Sequence, residues 1–203
     1  MRAARERIAE LDPSLHAFTQ VLDTSGPVAG GGSGREPAGV PVAVKDNIDV
    51  VGTVTTLGRP VGERSPAARD AESVARLRAA GAVIAGKTNM PELASLAVTV
   101  NAHYGDARNP WDPDRTAGGS SGGSAVAVAS GMAAAALATD TGGSALIPAA
   151  LTGTCGFRPT YGRIGLDGVA PSFVRTRFSE QRGDRRMLDD YATEFAPLPR
   201  WVS

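Results

Sequence analysis

VPVAVKDNIDV (Val40–Val50) and DAESVARLRAAGAVIA (Asp70–Ala85) are the two stretches whose reading decides how this chain is built. Val40 to Val44 is short, apolar and β-branched, as a buried strand is, and Lys45-Asp46-Asn47 falls at or just past its end. From Asp70 to Ala80 the apolar positions Ala71, Val74, Ala75 and Leu77 define the inner face of a helix, with Gly81 as its stop. Ala82 to Ala85 then reads as a second buried strand. Strand, helix and strand at this spacing form a βαβ unit, which implies an α/β fold with a parallel sheet covered by helices.

Upstream, Arg2 to Leu22 carries apolar residues at Ile8, Leu11, Leu15 and Phe18, a helical period interrupted at Asp12-Pro13, so two short helical pieces are expected. Gly26 to Gly39 has the composition of a flexible surface loop. Downstream, Asp140 and Arg158 are the only charged residues between Thr116 and Thr160, so that stretch belongs to the interior or lines a site. Within it, Ser124 to Ser130 reads as a buried helix capped by serine and ended by Gly131, and Ala133 to Thr139 as a strand running into Asp140. From Val174 the chain becomes densely charged with no clear period. The expected organisation is an N-terminal helical segment and loop (1–39), a core (40–173) and a divergent, disordered or foreign tail (174–203).

A chain of 203 residues that is 42% hydrophobic and 21% charged is long enough to bury a core. Its formal net charge of zero removes the broad attraction on which nucleic-acid binders rely. There is no apolar run long enough to span a membrane and no signal pattern, so a cytoplasmic protein without membrane association is expected. Cys155, the single cysteine, stands among small and apolar residues and reads as a buried structural thiol. Of the 21 cationic residues all are arginine except Lys45 and Lys87. Lysine, unlike arginine, can lose its proton and act as a base, which makes both lysines candidates for chemistry.

Three polar clusters stand at the ends of apolar elements: Lys45, the serines of TAGGSSGGS (Thr116–Ser124), and Ser144 in DTGGSA (Asp140–Ala145). In an α/β sheet, side chains just beyond the carboxyl ends of strands converge although distant in sequence. A serine nucleophile needs a group to take its proton, and with two histidines in the chain a serine–lysine arrangement is the economical solution. GVPVAVKDNID, RTAGGSSGGSAVAVASG and ATDTGGSALIPAALTGTCGFRPTYGR, in that order, closely resemble the amidase signature family, as do AGAVIAGKTNMPELA and RNPWDP between them. The resemblance spans roughly residues 40–165. It implies a mixed, largely parallel sheet sandwiched by helices, no cofactor or metal, and hydrolysis of a small-molecule amide through an acyl-serine intermediate. Carried over by position, it makes Ser144 the nucleophile, Ser120 the relay on a cis peptide and Lys45 the base. Backbone N–H groups of Thr141, Gly142, Gly143 and Ser144 would hold the oxyanion. Gly118, Gly119, Ser121, Gly122, Gly123 and Asp140 would support the site, and Trp111 and Tyr104 would wall a nearby loop.

One rival pattern is present. GAVIAGKT (Gly81–Thr88) matches the phosphate-binding G-x-x-x-x-G-K-[ST], with Lys87 as its lysine, and on that reading the chain is a nucleotide binder. The residues between its glycines are apolar and read as a buried strand rather than a loop with inward N–H groups, which argues against it. His103 has no acid and serine partner in the sequence around it. Amidase signature domains are considerably longer, and the change of composition at Val174 reads as a truncated or frame-shifted boundary. That leaves open an inactive fragment that works through a complementing chain or a homo-oligomer.

Overall fold

The computed structural model describes residues 1–24, 39–170 and the strand 193–197. The loop expected over Gly26–Gly39, apart from Gly39 itself, and the tail outside 193–197 lie beyond the described residues. In chain order the elements are α1 (Arg2–Leu15), β1 (Phe18–Val21), β2 (Pro41–Lys45), α2 (Glu72–Ala79), β3 (Val83–Thr88), β4 (Arg108–Asn109), β5 (Asp112–Thr116), α3 (Gly122–Ala129), β6 (Ala135–Ala138), α4 (Leu146–Thr152), β7 (Thr154–Phe157) and β8 (Thr193–Pro197).

One six-stranded sheet in the order β1-β3-β2-β6-β8-β7 carries the fold, and β4 and β5 form a separate hairpin. β3, β2 and β6 are mutually parallel at its centre, while β1 pairs antiparallel with β3, and β8 runs antiparallel to both of its neighbours. β7 therefore points the same way as the central strands, which makes the sheet mixed but largely parallel. Both faces are covered, because alternate residues of each strand enter different cores. Val42, Val44, Ile84 and Leu137 join Ala71 and Val74 beside α2. Ala43, Ala85, Ala136 and Ala138 lie under α3 with Ile8 and Leu15 of α1. The α3 face is lined with alanine, which lets an Ala/Val/Gly helix approach the strands closely.

Several local expectations change. α1 is one helix rather than two pieces, because Pro13 falls in its last turn, where the missing N–H costs one bond instead of breaking a continuing ladder. His16 closes the helix in the left-handed region, and Asp12 Oδ1 accepts N–H bonds from Ala17 and Phe18, which turns the chain into β1. Phe18 is buried as the first strand residue, not as part of a helix. Ala75, expected on the inner face of α2, is exposed, and Ser73 is buried there instead. β3 runs past Ala85 to Thr88, so Gly81–Thr88 is no phosphate loop: Gly86 and Lys87 are paired strand residues. Cys155 is exposed, because β7 is the outer strand of the sheet and only one of its sides packs on α4. The nearly uncharged stretch is interior in α3 and β6, yet Leu146, Leu151 and Phe157 stand exposed on α4 and β7.

Candidate active site

Lys45 is the last residue of β2 and is fully buried, 0% exposed. Its Nζ donates to Ser120 Oγ at 2.7 Å and lies 3.4 Å from the Thr139 carbonyl oxygen. Taking an ammonium out of water disfavours its charged form, so burial lowers the Lys45 pKa from 10.5 to about 7, against an opposing pull from the Asp140 carboxylate. A lysine so placed offers a neutral amine near neutral pH, the state a general base requires.

Ser120 belongs to the segment that joins β5 to α3, and the Gly119–Ser120 peptide bond is cis. Neighbouring backbone pins this segment at several points. Thr99 Oγ1 donates to the Gly118 carbonyl at 2.8 Å and accepts the Gly122 N–H at 3.0 Å, while the Gly123 N–H donates to the Asn89 carbonyl at 3.1 Å. A Cβ on Gly119 would stand 2.6 Å from the Val98 backbone, and one on Gly123 2.4 Å from the Ala17 carbonyl, so glycine is required for these approaches. Ser121 precedes α3 but does not cap it with its side chain, contrary to the serine cap expected from sequence. Its Oγ donates instead to Thr139 O at 3.2 Å, and its N–H donates to the Ser144 carbonyl at 3.1 Å. That last bond ties the two serine-bearing segments together.

Ser144 follows β6 on the turn that starts at Asp140, and it is half-buried, as is Thr141, while Gly142 is exposed. Asp140 is fully buried and organises this turn. Its Oδ1 accepts the Gly143 N–H at 2.7 Å and lies 3.6 Å from Arg158 Nη1; its Oδ2 accepts the Ala145 N–H at 2.9 Å and the Leu146 N–H at 3.4 Å. The Gly143 N–H, which the resemblance implied as an oxyanion donor, is engaged in this structure by a buried carboxylate. Its φ of +111° shows what the glycine is for, since an L side chain rarely adopts that conformation. A Cβ on Gly142, in contrast, would meet nothing within 4 Å, so its backbone borders open space.

Other candidates from the sequence lie elsewhere. Lys87 is buried in β3 with its Nζ 3.5 Å from Asp46 Oδ1. His103 Nε2 lies 3.4 Å from Glu92 Oε1. Trp111, 71% exposed, donates from Nε1 to the Thr152 carbonyl at the far end of α4 from Ser144, and Tyr104 OH donates to the Arg59 carbonyl. Sequence reasoning passed over Thr99, Asn89, Thr139 and Asn47. Asn47 Nδ2 donates to Thr139 Oγ1 at 3.1 Å, which braces the ends of β2 and β6 on either side of Lys45. Their one sequence signal was a polar side chain at the edge of an apolar run, which does not distinguish a brace from a solvated turn.

The family model described as Amidase matches residues 1–180. A glutamyl-tRNA(Gln) amidotransferase subunit of Syntrophobacter fumaroxidans is 45% identical over 80% of this chain and 35% of its own length. The putative amidase AmiB2 of Mycobacterium tuberculosis is 47% identical over 80% of this chain and 37% of its own. Among solved structures, 6-aminohexanoate cyclic dimer hydrolase complexed with substrate superposes with a TM-score of 0.77 at 31% identity, covering 97% of this chain and 39% of that one. The chain thus spans little more than a third of the length of the curated relatives it matches.

Proposed function

Given that the chain belongs to the Amidase family, we propose that it hydrolyses a small-molecule carboxylic amide through an acyl-serine intermediate, with Ser144 as nucleophile, Ser120 as relay and Lys45 as base. The observation that carries this reading is the Lys45 Nζ to Ser120 Oγ bond of 2.7 Å, in a site dry enough to bring the lysine pKa to about 7. Neutral Lys45 takes the Ser120 hydroxyl proton as Ser120 takes that of Ser144, and the freed Ser144 oxygen attacks the amide carbon. N–H groups of the Thr141-Gly142 segment stabilise the tetrahedral oxyanion; loss of one such donor typically costs about 3 kcal/mol of transition-state stabilisation. The proton returns through Ser120 to the departing nitrogen. Water, deprotonated along the same relay, then releases the acyl group from Ser144.

The relatives' names, which include a cyclic dimer hydrolase and a tRNA-linked amidotransferase, support an amide as substrate without choosing one. A second reading is favoured by the 35% coverage of the amidotransferase relative. On it, the chain is catalytically inactive alone and acts with a complementing chain. Labelling with a fluorophosphonate serine probe, read by peptide mass spectrometry, separates the two. On the first reading Ser144 is labelled, and the label disappears in Ser144→Ala and in Lys45→Ala. Label on another serine sinks the assignment of Ser144, and a folded chain that takes no label favours the second reading.

A further inference from the structure

Lys45 and Lys87 are the only lysines in the sequence, and both are fully buried on adjacent strands. In the β2–β3 register Lys45 lies opposite Thr88, whereas Lys87 lies opposite Val44. Neighbours across a parallel pair share a face, so the two lysines point to opposite sides of the sheet. Lys45 and Thr88 face α3, where Thr88 Oγ1 meets Ser124 Oγ at 2.6 Å. Lys87 shares its side with Val44, which packs beside α2, and has no direct part in the serine chemistry.

What Lys87 does touch is the turn that follows Lys45. Its Nζ lies 3.5 Å from Asp46 Oδ1 and donates to Thr55 Oγ1 at 3.2 Å, and Thr55 Oγ1 donates in turn to Asp49. Asp46 is itself fully buried, and its Oδ2 accepts bonds from Thr56 Oγ1 and, at 3.2 Å, from the Gly58 N–H. Among the described residues Asp46 Oδ1 has no hydrogen-bond partner, and Lys87, 3.5 Å away, is the cation that compensates it. A buried carboxylate without such compensation is strongly unfavourable and is expected to move toward water. Here that movement would take residues 46–58 away from the end of β2, because the Asp46 N–H donates to Thr88 O and the Ile48 N–H to the Lys45 carbonyl.

We propose that Lys87 is a positioning residue for the proposed base: its charge holds the Asp46 carboxylate in the interior, and Asp46 clamps the 46–58 turn so that Lys45 stays dry and aimed at Ser120. This rests on the reading of Lys45 as the base. It also accounts for the GKT triplet that imitates a phosphate loop, since here the lysine meets an anion belonging to its own chain. Among the described residues, the charged groups acting on Lys87 are Asp46 and Asp49, and the one acting on Lys45 is Asp140.

A chain labelled with ¹³C,¹⁵N-lysine gives two side-chain signals, which Lys87→Met assigns, and each is titrated by NMR without any need for turnover. The proposal expects Lys45 to titrate near 7 in the unaltered chain and at least about one pH unit higher in Lys87→Met, as water and an uncompensated Asp46 favour the ammonium. In Lys87→Met/Asp46→Asn, where the side-chain amide still accepts from Thr56 and Gly58 but needs no counter-charge, the Lys45 midpoint should return to within about half a unit of its original value. A Lys87→Met variant that is merely less stable, with its Lys45 midpoint unmoved, overturns the proposal. So does a double variant that fails to fold or keeps the raised midpoint. If Lys87→Met alone cannot fold, a folded double variant with the original midpoint supports it. Absence of Ser144 labelling in the unaltered chain would count against the catalytic reading while leaving this titration interpretable, so the two fail separately.

Discussion

Lys45 and Asp140 form an opposed couple at the residue scale: burial drives the lysine toward neutrality and the carboxylate draws it back. Acylation of Ser144 should therefore rise with pH through about 7, where the amine loses its proton, and a profile flat from acid to alkaline pH would rule out lysine as the base. Replacing Asp140 with Asn removes the charge that favours the ammonium, so the Lys45 midpoint moves below that value and the rise in labelling begins at lower pH. The same change leaves one oxygen to receive the N–H groups of Gly143, Ala145 and Leu146, which now share two. Stability should fall by about 1–3 kcal/mol, the usual cost of an unsatisfied buried donor, as measured by urea unfolding. A midpoint that moves upward in Asp140→Asn would contradict this account of the couple.

At the scale of elements, the site depends on how closely α3 and the segment before it approach β1 and β3. Gly123 has no room for a side chain: a Cβ would lie 2.4 Å from Ala17 O and 2.5 Å from Asn89 N, both backbone atoms that cannot rotate away. Gly123→Ala is expected to cost at least about 3 kcal/mol, at the upper end of overpacking, because the start of α3 must lift from the sheet. Gly142→Ala meets nothing within 4 Å and should change stability by no more than about 0.5 kcal/mol. Thermal melts of the two variants side by side test the contrast, and equal losses would contradict it. The two glycines look alike as letters, since each belongs to a Gly-Gly pair followed by a serine. Only the neighbour in space separates them.

For the molecule as a whole, a buried lysine makes folding sensitive to pH. In the unfolded chain Lys45 keeps the ordinary value of 10.5, and in the fold it titrates near 7. Below 7 both states hold the proton and the penalty for burying it is fully present. Between 7 and 10.5 the unfolded chain carries a proton that the fold has shed, so the unfolding free energy rises with pH by up to about 1.4 kcal/mol per unit. Lys87 is shifted in the same direction, again chiefly by burial. Urea unfolding across this range should show the rise, and Lys45→Met should lose the Lys45 share of it. An unchanged slope in that variant would mean the lysine is hydrated in the fold.

Period and composition were enough to establish the βαβ unit around β2, α2 and β3, because apolar runs of strand and helix length bounded by glycine leave few alternatives. The order of the motifs carried the resemblance from which Lys45, Ser120 and Ser144 were proposed, and the fold brings the first two within hydrogen-bond distance. Three-dimensional packing decided what those patterns could not express. It kept α1 whole across Pro13, exposed Cys155 on an outer strand and carried β3 through the phosphate-loop pattern. It also placed Thr193–Pro197 between β6 and β7, where a five-residue strand is too short to have announced itself. Asp140 shows the limit most plainly. Its place beside the two glycines is written in the chain, but its hold on the Gly143 N–H arises only when burial removes the water that would otherwise solvate both. Local sequence carries the backbone preferences, while hydrogen-bond partners and pKa values depend on what desolvates a group, and that is set by residues far away in the chain.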